Sequence, residues 1–254
     1  MKFIQRIAKL IQEEQKDLRN LTIILPSQRA VKYLANALVS AYGGPILAPK
    51  MLTIDQWIRS HYPNTVDNTR QLIKLFEVHQ EIESTPESFE DFVQWATLLL
   101  NDFDDIDRYL LNPDEVFQNL QDIKELEAWS LEESEISVTQ RKFLEFWEKL
   151  PQYHQKLQQK LEAIGKITSA RSYRLMAEKT PQIGEEDYLI FAGFNALSAS
   201  EITIIRKLIR LNKASFLIDA DTYYVQDNIH EAGMFIRKSI QSLELNNPSW
   251  INNS

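Results

Sequence analysis

Pro113-Asp114 followed by Asp122-Ile123-Lys124 has the residue order of a PD-(D/E)xK nuclease signature, in which carboxylates and a lysine gather round magnesium. That chemistry needs carboxylates on neighbouring strands, converging on one ion. The intervening EVFQNLQ has helical periodicity, and positions eight apart on a helix differ by about 80° in azimuth and roughly 12 Å along the axis. Asn112 as a cap, Pro113 at the first helical position, and Asp114 and Glu115 in the first turn account for the same residues as a helix start. Asp102, Asp104, Asp105 and Asp107 suggest a calcium loop. Such a loop needs glycine at its sixth position and glutamate at its twelfth, where this chain has Asp107 and Pro113. A helix boundary with solvated aspartates is expected instead. The histidines at 61, 79, 154 and 230 are too widely separated for metal-ligand spacing. No catalytic residue, metal or cofactor is expected.

LTIILPSQRA, residues 21–30, is of a different kind: a buried strand running through a proline into a helix. Such a junction exposes unpaired N–H groups and a partial positive charge, which favour an anion. It has neither the glycines nor the lysine that cradle a nucleotide. Arg29 in the first turn adds a like charge to the helix's positive end, unfavourable by several tenths of a kcal/mol. An anion or a neighbouring carboxylate would relieve it.

The elements that must position this junction follow from the apolar pattern. Phe3, Ile4, Ile7, Leu10 and Ile11 fall at helical spacing, and LTIIL has the continuous apolar run of a strand covered on both faces. Ser27 caps a helix with apolar Ala30, Val31, Leu34 and Leu38. KML is a short strand, and Thr53 with Gln56 forms a capping box opening IDQWIRSHY. From Asn64 to about Thr180 the pattern is helical throughout. Strand signals return in YLIFAGF, a capping box from Ser198 to Glu201 opens a helix, and SFLIDAD is another buried strand. The expected fold is α/β: a parallel-sheet core from residues 1–65 and 181–254, interrupted by a helical subdomain over 66–180.

Composition bounds the partners. Zero cysteines exclude disulfides and thiolate metal sites within the chain, and no apolar run approaches a membrane span. The N-terminus lacks the apolar core of a secretory signal, so a cytoplasmic location with no membrane partner is expected. Net charge is −8, but it is unevenly placed. Val66 to Glu135 holds 19 acidic and 4 basic residues, and the remainder 17 acidic and 24 basic, nets of −15 and +7. The plain reading of the acidic block is a solvated helical face.

Several stretches together resemble a known family. LTIILPSQRAVKYLANAL is similar to motif Ia of superfamily 1 helicases, where a strand, a polar turn and a helix touch single-stranded DNA. PKMLTIDQWI resembles their following motif, with Thr53 at its first threonine. YLIFAGFNALSASE lies where those helicases carry the Asp-Glu motif, and Phe194 matches the shared phenylalanine. The chain looks like the N-terminal part of AddB-like (RecC-like) helicase–nuclease subunits. In particular it resembles the Bacteroidetes PD-(D/E)xK nuclease family members, through LLNDFDDIDRYL, FAGFNALSASE and DADTYY.

The resemblance implies a RecA-like (P-loop NTPase-like) core with a 1B-like helical insertion. Ser27, Gln28, Arg29, Thr53, Phe194 and Asn195 would then contact DNA. The parent family is an ATP-dependent helicase and exodeoxyribonuclease, but here the phosphate loop is missing and Ala192-Gly193 replaces the Asp-Glu pair. The implied role is a non-catalytic domain for DNA double-strand-break repair that guides single-stranded DNA or a duplex end beside a partner helicase or nuclease subunit. The alternative is a scaffold that docks a partner helicase without touching DNA.

Overall fold

The computed structural model describes residues 2–14, 17–119, 138–179, 181–221, 223, 225, 231–245 and 249–250. The chain divides into two compact units, one of residues 1–61 with 175–254 and the other of residues 62–174.

The first unit is built on a five-stranded, all-parallel sheet in the order β2-β1-β3-β4-β5. In chain order its elements are α1 (Phe3–Glu13), β1 (Leu21–Leu25), α2 (Gln28–Tyr42), β2 (Lys50–Thr53) and α3 (Ile54–His61). After the second unit come β3 (Tyr188–Ala192), α8 (Ala199–Arg210), β4 (Ala214–Ile218), α9 (Met234–Ser242) and β5 (Ser249–Trp250). LTIIL, YLIFA and ASFLI are therefore neighbouring parallel strands, with Ile23 opposite Ile190 and Phe191 opposite Phe216. Their uninterrupted apolar runs reflect cover on both faces. Leu21, Ile23, Leu25, Ile190, Ala192 and Leu217 pack with Phe3, Ile7 and Ile11 of α1 and Leu34 and Leu38 of α2. Phe191, on the opposite face of β3, meets Trp57 of α3 edge-on at 5.7 Å.

Local chemistry sets the helix ends. Ser27 accepts a hydrogen bond from the Ala30 N–H at 3.3 Å, and Gly43 closes α2 in the left-handed conformation at φ 68°. Thr53 and Gln56 exchange the two bonds of a capping box, as do Ser198 and Glu201.

The second unit contains α4 (Asn68–Ile82), α5 (Phe89–Arg108) and α6 (Val138–Ala163), while α7 (Ser169–Glu178) spans the junction. Residues 113–119 are also helical, and Asn112 accepts from the Asp114 N–H at 3.1 Å, so this stretch is a capped helix start. Asp122 and Lys124 lie outside the described residues. The ends of the unit meet at an isolated parallel bridge between Thr65 and Ile167. Among the described residues no helix is long and apolar enough to cross a membrane.

The acidic block is not simply a solvated face. Glu81 of α4 pairs with Lys156 and Lys160 of α6, and Glu83, the C-cap of α4, with Lys149, at 2.6–3.1 Å. The helix boundary with solvated aspartates expected at 102–107 holds for Asp102 and Asp105, exposed in the last turns of α5, and fails at Asp107. All four lie inside α5, and Asp107 is buried, held by Arg174 Nε at 2.6 Å and Arg171 at 3.3 Å. Arg174 also donates to the carbonyls of Ile106 and Leu111, tying down the last turn of α5 and the segment after it. Those arginines lie more than 60 residues away in sequence, which is why local spacing did not reveal them.

His79 is likewise a core residue, surrounded by Phe76, Phe92, Trp95 and Tyr153. Its Nδ1 lies 2.7 Å from the Tyr153 hydroxyl, which donates to Glu83, and Glu83 in turn accepts from Lys149. Burial pushes the His79 pKa down and the Tyr153 pKa up, so both are held neutral.

Burial also pushes the Asp104 carboxyl up to about 6, with Arg108 opposing and Asp107 adding to the rise. An acid raised in the folded state holds a proton that the unfolded chain has lost. The contribution of Asp104 to stability therefore falls as pH rises from about 4 to about 6. Asp104→Asn should flatten that fall and raise stability above pH 6 by about 1–2 kcal/mol. Urea unfolding of both proteins at the two ends of this range checks it, and parallel pH profiles would refute it.

Candidate nucleic-acid interface

Strand order places the candidate site. The chain leaves β1 toward β2 on one side and later returns to β3 on the other. The carboxyl ends of β1 and β3 therefore flank a topological switch point, where open α/β sheets leave a crevice for ligands. Pro26 and Ser27 follow β1, Thr53 ends β2, Gly193 to Asn195 follow β3, and Asp219 follows β4.

At this edge Ser27, Gln28 and Arg29 are exposed. The Ser27 hydroxyl is committed to the Ala30 N–H, which leaves the N–H groups of Gln28 and Arg29 as the helix's outward donors. Among the described residues Arg29 has no carboxylate ion pair. Its guanidinium donates to the Tyr33 hydroxyl at 3.5 Å and lies over the Tyr33 ring, 5.5 Å from the centroid. Asn195 is exposed, and its carbonyl accepts from Ser239 at 3.4 Å.

Two of the six expected contact residues are placed differently. Thr53 is only 8% exposed and its hydroxyl already accepts from the Gln56 N–H at 3.2 Å. Phe194 is also buried, stacked at 6.3 Å on Phe216 and near Phe191. Their role here is to hold the edge: Thr53 opens α3, and Phe194 seats the loop after β3. Ser27, Gln28, Arg29 and Asn195 remain at the surface.

Beside the edge, α1 and α2 enclose a groove of about 1390 Å³ that includes Lys2, Lys9, Arg29, Tyr33, Asn36 and Asp219. Tyr33 is 53% exposed. Hydrogen bonding and charge from Arg29, with charge from Lys2, pull its hydroxyl pKa down, a sign of positive potential at this point. The sequence reading did not single out Tyr33, Lys2 or Lys9. Arg29 and Tyr33 do carry a local signal, since residues four apart share a helix face.

Gly193 shows how tightly the edge is packed. It has φ +76°, donates to the Leu217 carbonyl at 3.2 Å, and would carry a Cβ 3.1 Å from the Phe3 ring. A side chain here meets both left-handed strain and an aromatic ring.

The fold and this edge define an open, all-parallel α/β protein interrupted by a helical unit. No family model matches the chain, and no curated protein matches it.

Gly193→Ala should cost about 1–2 kcal/mol through strain and contact with Phe3. Thermal unfolding reads this as a lowered Tm. An unchanged Tm would mean that Phe3 yields freely and that the loop is not tightly held.

Proposed function

We propose that the chain is a non-catalytic, helicase-like domain of a helicase–nuclease subunit for DNA double-strand-break repair, akin to the AddB-like (RecC-like) proteins. On this reading the parallel sheet is a RecA-like core that guides single-stranded DNA along its carboxyl edge. The chain works in the cytoplasm beside a partner helicase or nuclease subunit. Arg29 carries the argument: an exposed guanidinium with no carboxylate ion pair among the described residues, at the start of α2 and beside a strand switch point. Phosphate contacts position a strand without reading its sequence, and arginine with helix N–H donors suits that task. Gln28 and Asn195 supply neutral donors on the same edge.

Nucleotide hydrolysis is disfavoured by chemistry. The segment before β1 is a helix without glycine, and Gly193, at a position where any side chain would be strained and crowded, stands where the resembled family places a carboxylate. The alternative of a docking scaffold rests on the acidic helical unit. It is weakened by the lysines of α6 that already pair with Glu81 and Glu83.

Arg29→Ala should weaken binding of single-stranded DNA of any sequence and flatten the salt dependence of affinity by about 0.7–1 in slope. Its Tm should stay unchanged, because no carboxylate is left behind. ATP should show no saturable binding. Fluorescence anisotropy over a salt series, with thermal unfolding alongside, checks this. A lowered Tm with an unchanged slope would mark Arg29 as structural and defeat the proposal.

A further inference from the structure

The groove between α1 and α2 begins at Arg29 and runs away from the sheet edge along both helices. On α2 it is lined by Arg29, Tyr33, Asn36 and Ser40, spaced by three or four residues and so forming one stripe. That stripe is about 16 Å long at the rise of an α-helix. Lys2, Gln5 and Lys9 line the facing side, and Gln12 Nε2 donates to the Ala41 carbonyl at 2.9 Å to close the far end.

Three features of this groove select its occupant. The first is charge: Lys2, Lys9 and Arg29 outnumber Asp219, a local excess of positive charge in a chain of net charge −8. Lys9 pairs with Glu13 at 3.3 Å, but both side chains are more than half exposed, so the pair is weak and exchangeable. The second is Tyr33, a half-exposed ring set among cations, which is the arrangement that stacks nucleobases in sequence-tolerant binding sites. The third is the neutral polar lining, which includes Gln5, Asn36 and Ser40. The Asn36 amide offers both a donor and an acceptor, and Gln5, whose oxygen accepts from the Lys2 N–H at 3.1 Å, offers its NH2 group.

We infer that single-stranded nucleic acid enters the α1–α2 groove from the sheet edge, stacks a base on Tyr33, and sets phosphates against Lys2 and Lys9. This rests on the proposed function and adds a path to it. An acidic peptide would use the cations but gain little from the ring.

The test uses the whole 254-residue chain and a labelled oligothymidylate, with a second oligonucleotide carrying 2-aminopurine to report stacking. Tyr33→Ala should weaken binding about five- to tenfold without changing the salt slope, and Tyr33→Phe should restore it. The 2-aminopurine signal should be quenched by the natural chain and recover in Tyr33→Ala. Lys2→Gln and Lys9→Gln should each flatten the salt slope by about 0.7. Tyr33 is exposed, so thermal unfolding should be unaffected and confirms that each variant is folded. If Arg29→Ala weakens binding while the Tyr33 and lysine variants do not, the strand stays at the edge: the inference falls and the proposed function stands. If Tyr33→Phe loses as much as Tyr33→Ala, the hydroxyl and not the ring makes the contact, and the stacking inference fails. If the natural chain does not bind oligothymidylate, both fall. Polyglutamate binding as tightly through the same residues would assign the groove to acidic peptides and overturn the inference.

Discussion

Burial of β1 and β3 on both faces is the constraint on which the first unit depends. Ile23 and Ile190 face the α1–α2 layer, while Phe191 turns the other way to meet Trp57. A strand covered on both sides has no lateral surface for polar chemistry. Side chains that meet water must therefore sit where the strands end, and in a parallel sheet those ends align. The same constraint brings the loops after β1 and β3 side by side, although they are separated by some 170 residues of sequence. It also explains the crowding at Gly193, where the start of α1 is pressed onto the loop after β3.

The second unit meets its burial problem differently. Its core is aromatic and helical, and it takes in polar groups that need partners. Asp107 would be costly alone in that interior; two arginines of α7 make it tolerable, and one of them, Arg174, also bonds the Ile106 carbonyl in the last turn of α5. His79, Tyr153, Glu83 and Lys149 form a chain that leads from the core to the surface. Such pairs add little net stability compared with apolar packing, but removing one partner would strand the other in the interior. The acidic composition of this unit thus serves internal pairing as well as solvation.

Charge in this protein is informative only when it is located. A net of −8 argues against a polyanion partner, yet the groove along α1 and α2 has an excess of cations. Screening confines a surface charge's influence to about 8–10 Å at physiological salt, so net charge alone does not fix the potential at a local basic seam. That is why a chain acidic overall can still carry a locally basic groove.

Short-range features were legible in the residues themselves. The apolar run LTIIL, the caps at Ser27, Thr53 and Ser198, and the helix start at Asn112 depend on neighbours within a few positions, and local pattern determines them. The parallel pairing of LTIIL, YLIFA and ASFLI followed from runs that only two-sided cover can satisfy. Accessibility was not legible in this way. Thr53 and Phe194 have the right types for contact with DNA, but packing turns them inward, while Tyr33, unremarkable in an amphipathic helix, is left half exposed beside Arg29. Asp107 has the composition of a surface residue and is buried because Arg171 and Arg174 come to it from another helix. The sequence by itself determined the strands LTIIL, YLIFA and ASFLI and the capped helices beside them, because periodicity and capping act over one or two turns, while α9 and β5 were not foreseen. Which side chains face water, and which charges find partners, was decided only by the tertiary structure, because both depend on contacts between segments far apart in the chain.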